Sequence, residues 1–416
     1  MATVVLVGTL DTKGVEYAYV KQCVLDTGCG VIVVDTGVLG EPIFLPDISA
    51  RQVARMGGVD IESIRFGTEG SDTRAVAIAA MSEGLKICLA RLVAEGKCDA
   101  VFGMGGSGGT NILSAAMKTL PLGMPKMLLS TMMSGDVRPY VSGTDMAMMY
   151  SVTDIAGLNS FSRLILANAA HAAAGMAKYR EEAIEKSKGE KKPLIAITMF
   201  GITTPGVLHM RDMLEKRGFE TIVFHATGSG GMAMEEMIRH GFIDGVIDFT
   251  TSELCDYEYG GAFSAGPDRL TAAGEKGIPQ VVVPGAIEVL NYNGVSCVPP
   301  EKNVPERKLI VHNPTVCAVK ATDAELERLG TVLGEKAAAA KGPTEVLLPL
   351  GGLDKYEAPG GPWESRESDG VLFAAIRAAA GNQVPVREVE GNINDPSFSE
   401  EAVHTFLKLW ERRGNQ

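Results

Sequence analysis

The residues best suited to chemistry lie where apolar runs give way to glycine. In V-F-G-M-G-G-S-G-G-T-N, residues 101–111, five glycines fall within seven positions, between a short apolar run and a helix-like segment. Glycine tolerates positive φ and lets a ligand approach the backbone, and the first turn of a following helix offers unpaired N–H groups at its positive end. That combination suits a phosphate held by Gly105, Gly106, Ser107, Gly108, Gly109 and Thr110; a tight turn packed on a neighbour is the alternative. In G-T-L-D-T-K-G, residues 8–14, Asp11, Thr12 and Lys13 set a carboxylate, a hydroxyl and an ammonium side by side, a sensible set for a metal-bound polyphosphate. Capping of the next helix by Asp11 or Thr12, with Lys13 solvated, would explain the same residues. Asp35, closing the run V-V-D-T-G, is expected to bind a ribose hydroxyl, by analogy with dinucleotide folds. S-T-M-M-S-G, residues 130–135, adds Ser130 and Thr131 at a fourth such position.

The second half carries its own set. Thr203 and Thr204 in F-G-I-T-T-P-G, and Thr227, Gly228, Ser229, Gly230 and Gly231 in H-A-T-G-S-G-G, form a second candidate anion cradle, here for a small anionic molecule. His225 stands just ahead of it and could act as general acid or base, since its ordinary pKa lies near neutrality; a histidine simply hydrogen-bonded in place is the alternative. Asp11, Lys13 and His225 are therefore the candidate catalytic groups. The stretch 250–261, T-T-S-E-L-C-D-Y-E-Y-G-G, gathers Glu253, Asp256 and Glu258 in an expected loop, either to hold a cation or substrate hydroxyl or as an exposed rim. Two D-T-G triplets, at 26–28 and 35–37, flank one strand of an α/β unit and cannot supply the paired aspartates of an aspartic protease. No H-E-x-x-H, Cys/His cluster or EF-hand loop occurs, so no tight zinc or calcium site is expected.

These loops need strands to hold them. Residues 4–7, 31–34, 100–102 and 127–129 are continuous apolar runs, as in parallel strands covered on both faces. Ile78, Met81, Leu85, Cys88, Leu89 and Leu92 recur at helical steps and form a core-facing stripe. The charged run 180–192, closed by Pro193, marks the end of a long helix and a domain boundary, giving expected domains 1–192 and 193–416. After it the pattern restarts, with strands expected at 194–199, 221–224, 245–249, 280–283, 346–348 and 384–389 and helices at 324–341 and 400–410. Gly8, Thr12 and Gly14 correspond loosely to Gly201, Thr204 and Gly206, a weak internal repeat. The predicted fold is α/β: two doubly wound, mainly parallel, Rossmann-like domains with a cleft between them, the polar loops collecting at the carboxyl ends of the strands.

The bulk numbers narrow the choices. At 416 residues, 45% hydrophobic and 22% charged, the chain has the composition of an ordinary globular protein. A net charge of −12 argues against a general affinity for nucleic acid or an anionic membrane, since both need a basic surface. Seven scattered cysteines without C-x-x-C fit a reducing, cytoplasmic setting. The apolar run at the start ends at Val7, too short for a signal peptide or membrane span.

The 103–110 loop resembles the G-G-D-G-T loop of phosphofructokinases and NAD kinases, with Ser107 where the aspartate would be, so binding carries over and catalysis does not. It lacks the G-K-S/T ending of the other common nucleotide loop. Taken together, G-T-L-D-T-K-G, V-V-D-T-G, G-M-G-G-S-G-G-T, S-T-M-M-S-G and F-H-A-T-G-S-G-G-M-A-M-E resemble the ATP-binding domain family that includes the N-terminal half of the tomato mosaic virus resistance protein and uncharacterised bacterial proteins. The resemblance covers nearly the whole chain. It implies two α/β subdomains, nucleotide binding and self-association as a homodimer or higher homo-oligomer. It also implies nucleotide contacts at Thr9, Asp11, Thr12, Lys13, Asp35, Thr36, Gly37 and the glycine loop, with ATP and Mg²⁺ as cofactors. Three readings follow: an ATP-dependent phosphoryl-transfer or ligase-type enzyme on a small anionic metabolite; a nucleotide-gated protein-interaction module without turnover; or an ATP-independent lyase or isomerase on a sugar acid or phosphate.

Overall fold

A computed structural model describes residues 1–65, 73–141, 143–186 and 191–413. Part of the charged run expected at the domain boundary, residues 187–190, lies outside the described residues. The chain divides into two compact units, Met1–Glu190 and Lys191–Gln416.

In the first unit β1 (Thr3–Gly8), β2 (Gly30–Asp35), β3 (Ala100–Gly105), β4 (Lys126–Ser130) and β5 (Ala147–Tyr150) form one sheet, parallel throughout, in the order β2-β1-β3-β4-β5. Both faces are covered, which is why the strands are apolar without alternation. Val5 and Val7 enter a core with the helices Thr73–Ala94 and Ser107–Met117, while Val4 and Leu6 enter the opposite core with the helices Leu10–Asp26 and Ser160–Lys186. The stripe Met81, Leu85, Cys88, Leu89 belongs to the first of these cores. β5 has no counterpart among the expected strands; it is a half-buried edge.

The second unit contains β6 (Leu194–Met199), β7 (Glu220–His225), β8 (Gly245–Thr250), β9 (Gln280–Gly285), β10 (Val289–Tyr292), β11 (Leu309–Asn313), β12 (Val316–Lys320), β13 (Thr344–Pro349) and β14 (Val386–Val389). Six of them form a parallel sheet in the order β14-β13-β9-β8-β6-β7. The remaining three, β10-β12-β11, form an antiparallel sheet that the periodicity of the sequence does not announce. Each unit is thus a doubly wound α/β structure, the second carrying an inserted small sheet. No described helix is long and apolar enough to cross a membrane.

Candidate active site

In the first unit the chain leaves β1 towards one face of the sheet and β3 towards the other. Such a reversal opens a crevice beyond the carboxyl ends of the two strands. A cavity of about 510 Å³ lies there, within the range of about 300–1,000 Å³ common for small-molecule sites. Its walls divide by chemistry. Thr9, Asp11, Thr12, Lys13, Thr36 and residues 105–109 line a polar side; Val38, Leu39, Ile64, Ala77, Ile78, Met81 and Ile112 line an apolar one.

Tyr17 holds the crevice open. It is fully buried, its hydroxyl accepts from Met104 N at 2.7 Å and donates to Val7 O, and it therefore occupies the space between β1 and β3 where their pairing stops at Val7 and Gly103. Burial raises its phenol pKa far above the ordinary value, so it stays protonated. A Cβ on Gly8 would fall 2.0 Å from that hydroxyl, so glycine is required there by close approach. Composition offered no sign of this tyrosine; its place on the buried stripe of the first helix was the available signal.

The glycine segment is shorter as a loop than its sequence suggests. β3 runs to Gly105, Gly106 is the N-cap with φ −84°, and the helix begins at Ser107. Gly103, Gly105, Gly106, Gly108 and Gly109 all have negative φ, so the expected left-handed conformation is absent. What the glycines provide is closeness: a Cβ on Gly105 would sit 3.1 Å from Gly109 Cα, whereas one on Gly109 would meet nothing within 4 Å. No side chain caps this helix, so its first-turn amides are left for whatever occupies the cavity.

Asp11 Oδ2 accepts from Leu39 N (2.7 Å) and Gly40 N (3.1 Å), tying the first loop to the second, while Asp11 Oδ1 is buried with no hydrogen-bond partner. That oxygen could take a cation arriving with a nucleotide; among the described residues no group of three or more acidic, histidine or cysteine side chains forms a metal cluster. Lys13 lines the cavity, has non-helical φ and ψ inside the first helix, and its Nζ donates to Ile155 O at 2.6 Å. Thr12 Oγ1 donates to Thr9 Oγ1 at 2.9 Å. Arg65, which the sequence reading missed, also lines the cavity, held by Glu41 (3.1 Å) and Gly40 O (2.9 Å).

Several expected contacts stand behind the wall. Asp35 is 2% exposed and its Oδ1 accepts from Leu10 N (3.0 Å) and Gly37 N (2.9 Å), so it anchors two loops where a ribose contact was expected. Burial raises its pKa, against the pull of those two amides. Thr110 and Ser130 are buried and bonded hydroxyl to hydroxyl at 2.6 Å, and Ser130 Oγ also accepts from Met132 N at 3.0 Å. They brace the first turn of the helix Ser107–Met117 against the end of β4. Gly37 and Thr131 are likewise outside the cavity lining.

The second cradle already holds an anion, and it is the protein's own. Glu253 is fully buried, and its Oε1 accepts from Gly228 N (2.7 Å) and Gly231 N (3.0 Å). Gly228 has φ +84° and a Cβ on Gly231 would fall 2.2 Å from Glu253 Oε2. Of the residues expected to receive a small anion, Gly228 and Gly231 give their amides to Glu253 instead. Glu253 lies on the helix Ser252–Tyr259, where a polar loop was expected, and its Oε2 meets Arg269 Nε at 2.6 Å. Arg269 also binds Asp248 (Nη2 to Oδ1, 2.6 Å), and burial pushes the Glu253 and Glu235 carboxyls up while Arg269 pulls them down. Thr203 is buried and bonded to Thr250 (2.8 Å), and Thr204 donates to Phe200 O (3.2 Å); neither presents its hydroxyl to a ligand. His225 belongs to this unit, stacks on Phe200 with centroids 5.6 Å apart, and has its pKa lowered by burial. Asp11 and Lys13 therefore share one cavity, and His225 lines a different one.

Comparison with known proteins places this geometry among relatives. Residues 2–182 match the N-terminal domain, and residues 192–410 the C-terminal domain, of the Uncharacterised protein family (UPF0261). A UPF0261 protein of Clostridium tetani is 42% identical over 98% of this chain and 99% of its own. The ToMV resistance protein Tm-1 of Solanum lycopersicum is 38% identical over 82% of this chain, which spans 45% of the tomato protein. Among solved structures, MurG of Acinetobacter baumannii covers 98% of this chain and 99% of its own at 13% identity and a TM-score of 0.23, too distant a likeness to bear on function.

Proposed function

The chain belongs to the UPF0261 family, and from that premise and the divided cavity of its first unit we propose that it binds ATP together with Mg²⁺. The supporting observation is the pairing of walls. First-turn amides of the helix Ser107–Met117, with Lys13, Thr9 and Thr12, face the same 510 Å³ space as an apolar surface from Val38, Leu39, Ile78 and Met81. Phosphates suit the first wall, because helix N-termini and ammonium groups stabilise anions. A purine base suits the second. Asp11 Oδ1 is the acceptor available to the metal ion; Mg²⁺ itself would neutralise phosphate charge. Thr110, Ser130 and Asp35 set the wall's shape without touching the ligand.

In this reading the nucleotide serves phosphoryl-transfer or ligase-type chemistry on a small anionic metabolite. The ATP-independent lyase or isomerase, which needed both glycine segments for substrate anions, loses one of them to Glu253. The gated-module reading keeps one observation in its favour: among the described residues the cavity's ionisable side chains are Asp11, Lys13 and Arg65, with no histidine to act as general base. A nucleotide-turnover assay against a metabolite panel separates the two. Metabolite-stimulated ADP release supports the enzyme, and saturable ATP binding without turnover supports the module.

A further inference from the structure

The second unit has a cavity of its own, about 230 Å³, at the carboxyl ends of β6 and β7. Phe200, Phe263 and Tyr356 supply flat apolar walls, and the β11–β12 hairpin closes one side with His312 and Val316. No Lys, Arg, Asp or Glu is among the described residues that line it. Its volume is below the usual range for drug-sized ligands, which restricts it to a single-ring molecule.

One lining residue is unexplained by the fold. Asn291 is fully buried, and its Nδ2 and backbone N donate to the two oxygens of Asp256, each at 2.8 Å. Asn291 Oδ1 has no hydrogen-bond partner. Side chains alternate along a strand, so Asn291 shares a face of the small sheet with Val289. Val289 and the cross-strand residue Ala318 pack with Ile202 and Trp363, against which Phe200 and Tyr356 lie. That is the cavity's face. The pairing with Asp256 fixes which end of the amide points away from it, and the end left for the cavity is an acceptor. A buried carbonyl without a donor is destabilising until a ligand supplies one.

We propose that this cavity binds a small, uncharged, planar ring compound that donates an N–H or O–H to Asn291 Oδ1, its ring faces covered by Phe200, Phe263 and Tyr356. The absence of charged lining residues selects a neutral molecule, and the lone buried acceptor selects a donor over an isostere that lacks one. His225 also lines the cavity. This site is independent of the nucleotide cavity.

Benzamide is the probe, with methyl benzoate as the ring without a donor and benzoate as the charged ring, each titrated into the full-length protein by ligand-observed NMR. Saturable benzamide binding is expected, with the other two at least about tenfold weaker, as loss of one buried hydrogen bond implies. Ala318→Leu, which fills the cavity from its wall, should abolish benzamide binding while leaving the thermal unfolding transition within a few degrees. Asn291→Leu should remove the preference for benzamide over methyl benzoate. No saturation with benzamide, equal binding of benzoate, or undiminished benzamide binding in a folded Ala318→Leu protein overturns the proposal.

Discussion

Tyr17 commits its single hydroxyl to the backbones of two parallel strands where they part, so its oxygen sets the width of the nucleotide crevice. Tyr17→Phe leaves Met104 N–H and Val7 C=O buried without partners. It should lower stability by about 1–3 kcal/mol, read from the urea midpoint, and weaken Mg-ATP binding as the crevice relaxes; unchanged stability would contradict the positioning role. Glu253 occupies the equivalent place in the second unit's account, since a carboxylate on the chain satisfies amides that otherwise resemble a ligand site. Glu253→Ala uncovers Arg269 and two glycine amides together, and the expected loss is about 3–5 kcal/mol, as for other broken buried ion pairs. Mg-ATP affinity should be unaffected. At this scale the sequence shows a contact only where a side chain lies beside its partner in the chain, as Thr12 lies beside Thr9. It was unreadable where the partner is distant: Glu253 reaches back 25 residues to Gly228, and a glycine-rich segment cannot show which anion it holds.

At the level of elements, the helix Ser107–Met117 is built to start abruptly. Gly106 gives it no side-chain cap, and Gly109 faces open space in its first turn. Gly109→Ala therefore has opposite effects on fold and function. Helix propensity should raise stability by up to about 1 kcal/mol, whereas the added methyl enters the cavity and should weaken nucleotide binding severalfold. Equal Mg-ATP affinity for the two proteins would remove the phosphate from this helix terminus. The strands that frame the cavity were legible because each carries an apolar run and ends in glycine or aspartate. β5 and the sheet β10-β12-β11 had no counterpart among the expected strands; each of these strands is four or five residues long, and in the small sheet the pairing is antiparallel. The antiparallel pairing of Val311 with Cys317 makes H-N-P-T, residues 312–315, the tip of a hairpin.

Across the whole molecule, the buried charge is concentrated in the second unit, and this makes stability depend on pH. Glu288 is fully buried with neither oxygen bonded, and Asp354 Oδ2 is also unpartnered. Burial and mutual repulsion raise the Glu288 pKa well above its ordinary value, and burial raises Asp354 to about 6. Both folded-state values exceed the unfolded ones, so the folded chain binds more protons, and this contribution is fully present below about pH 4 and is lost as pH rises through 6 and beyond. Urea midpoints should fall between pH 5 and pH 8, and Glu288→Gln, which replaces the protonated acid by a neutral amide, should flatten that fall; an unchanged slope would contradict the raised Glu288 pKa. The nucleotide claim is tested most directly by calorimetry of the full chain with Mg-ATP. Saturable binding to the wild-type protein, weakened at least about tenfold by Lys13→Ala as loss of a charge-assisted contact implies, is the predicted result. No binding, or binding that Lys13→Ala leaves undiminished, would contradict it.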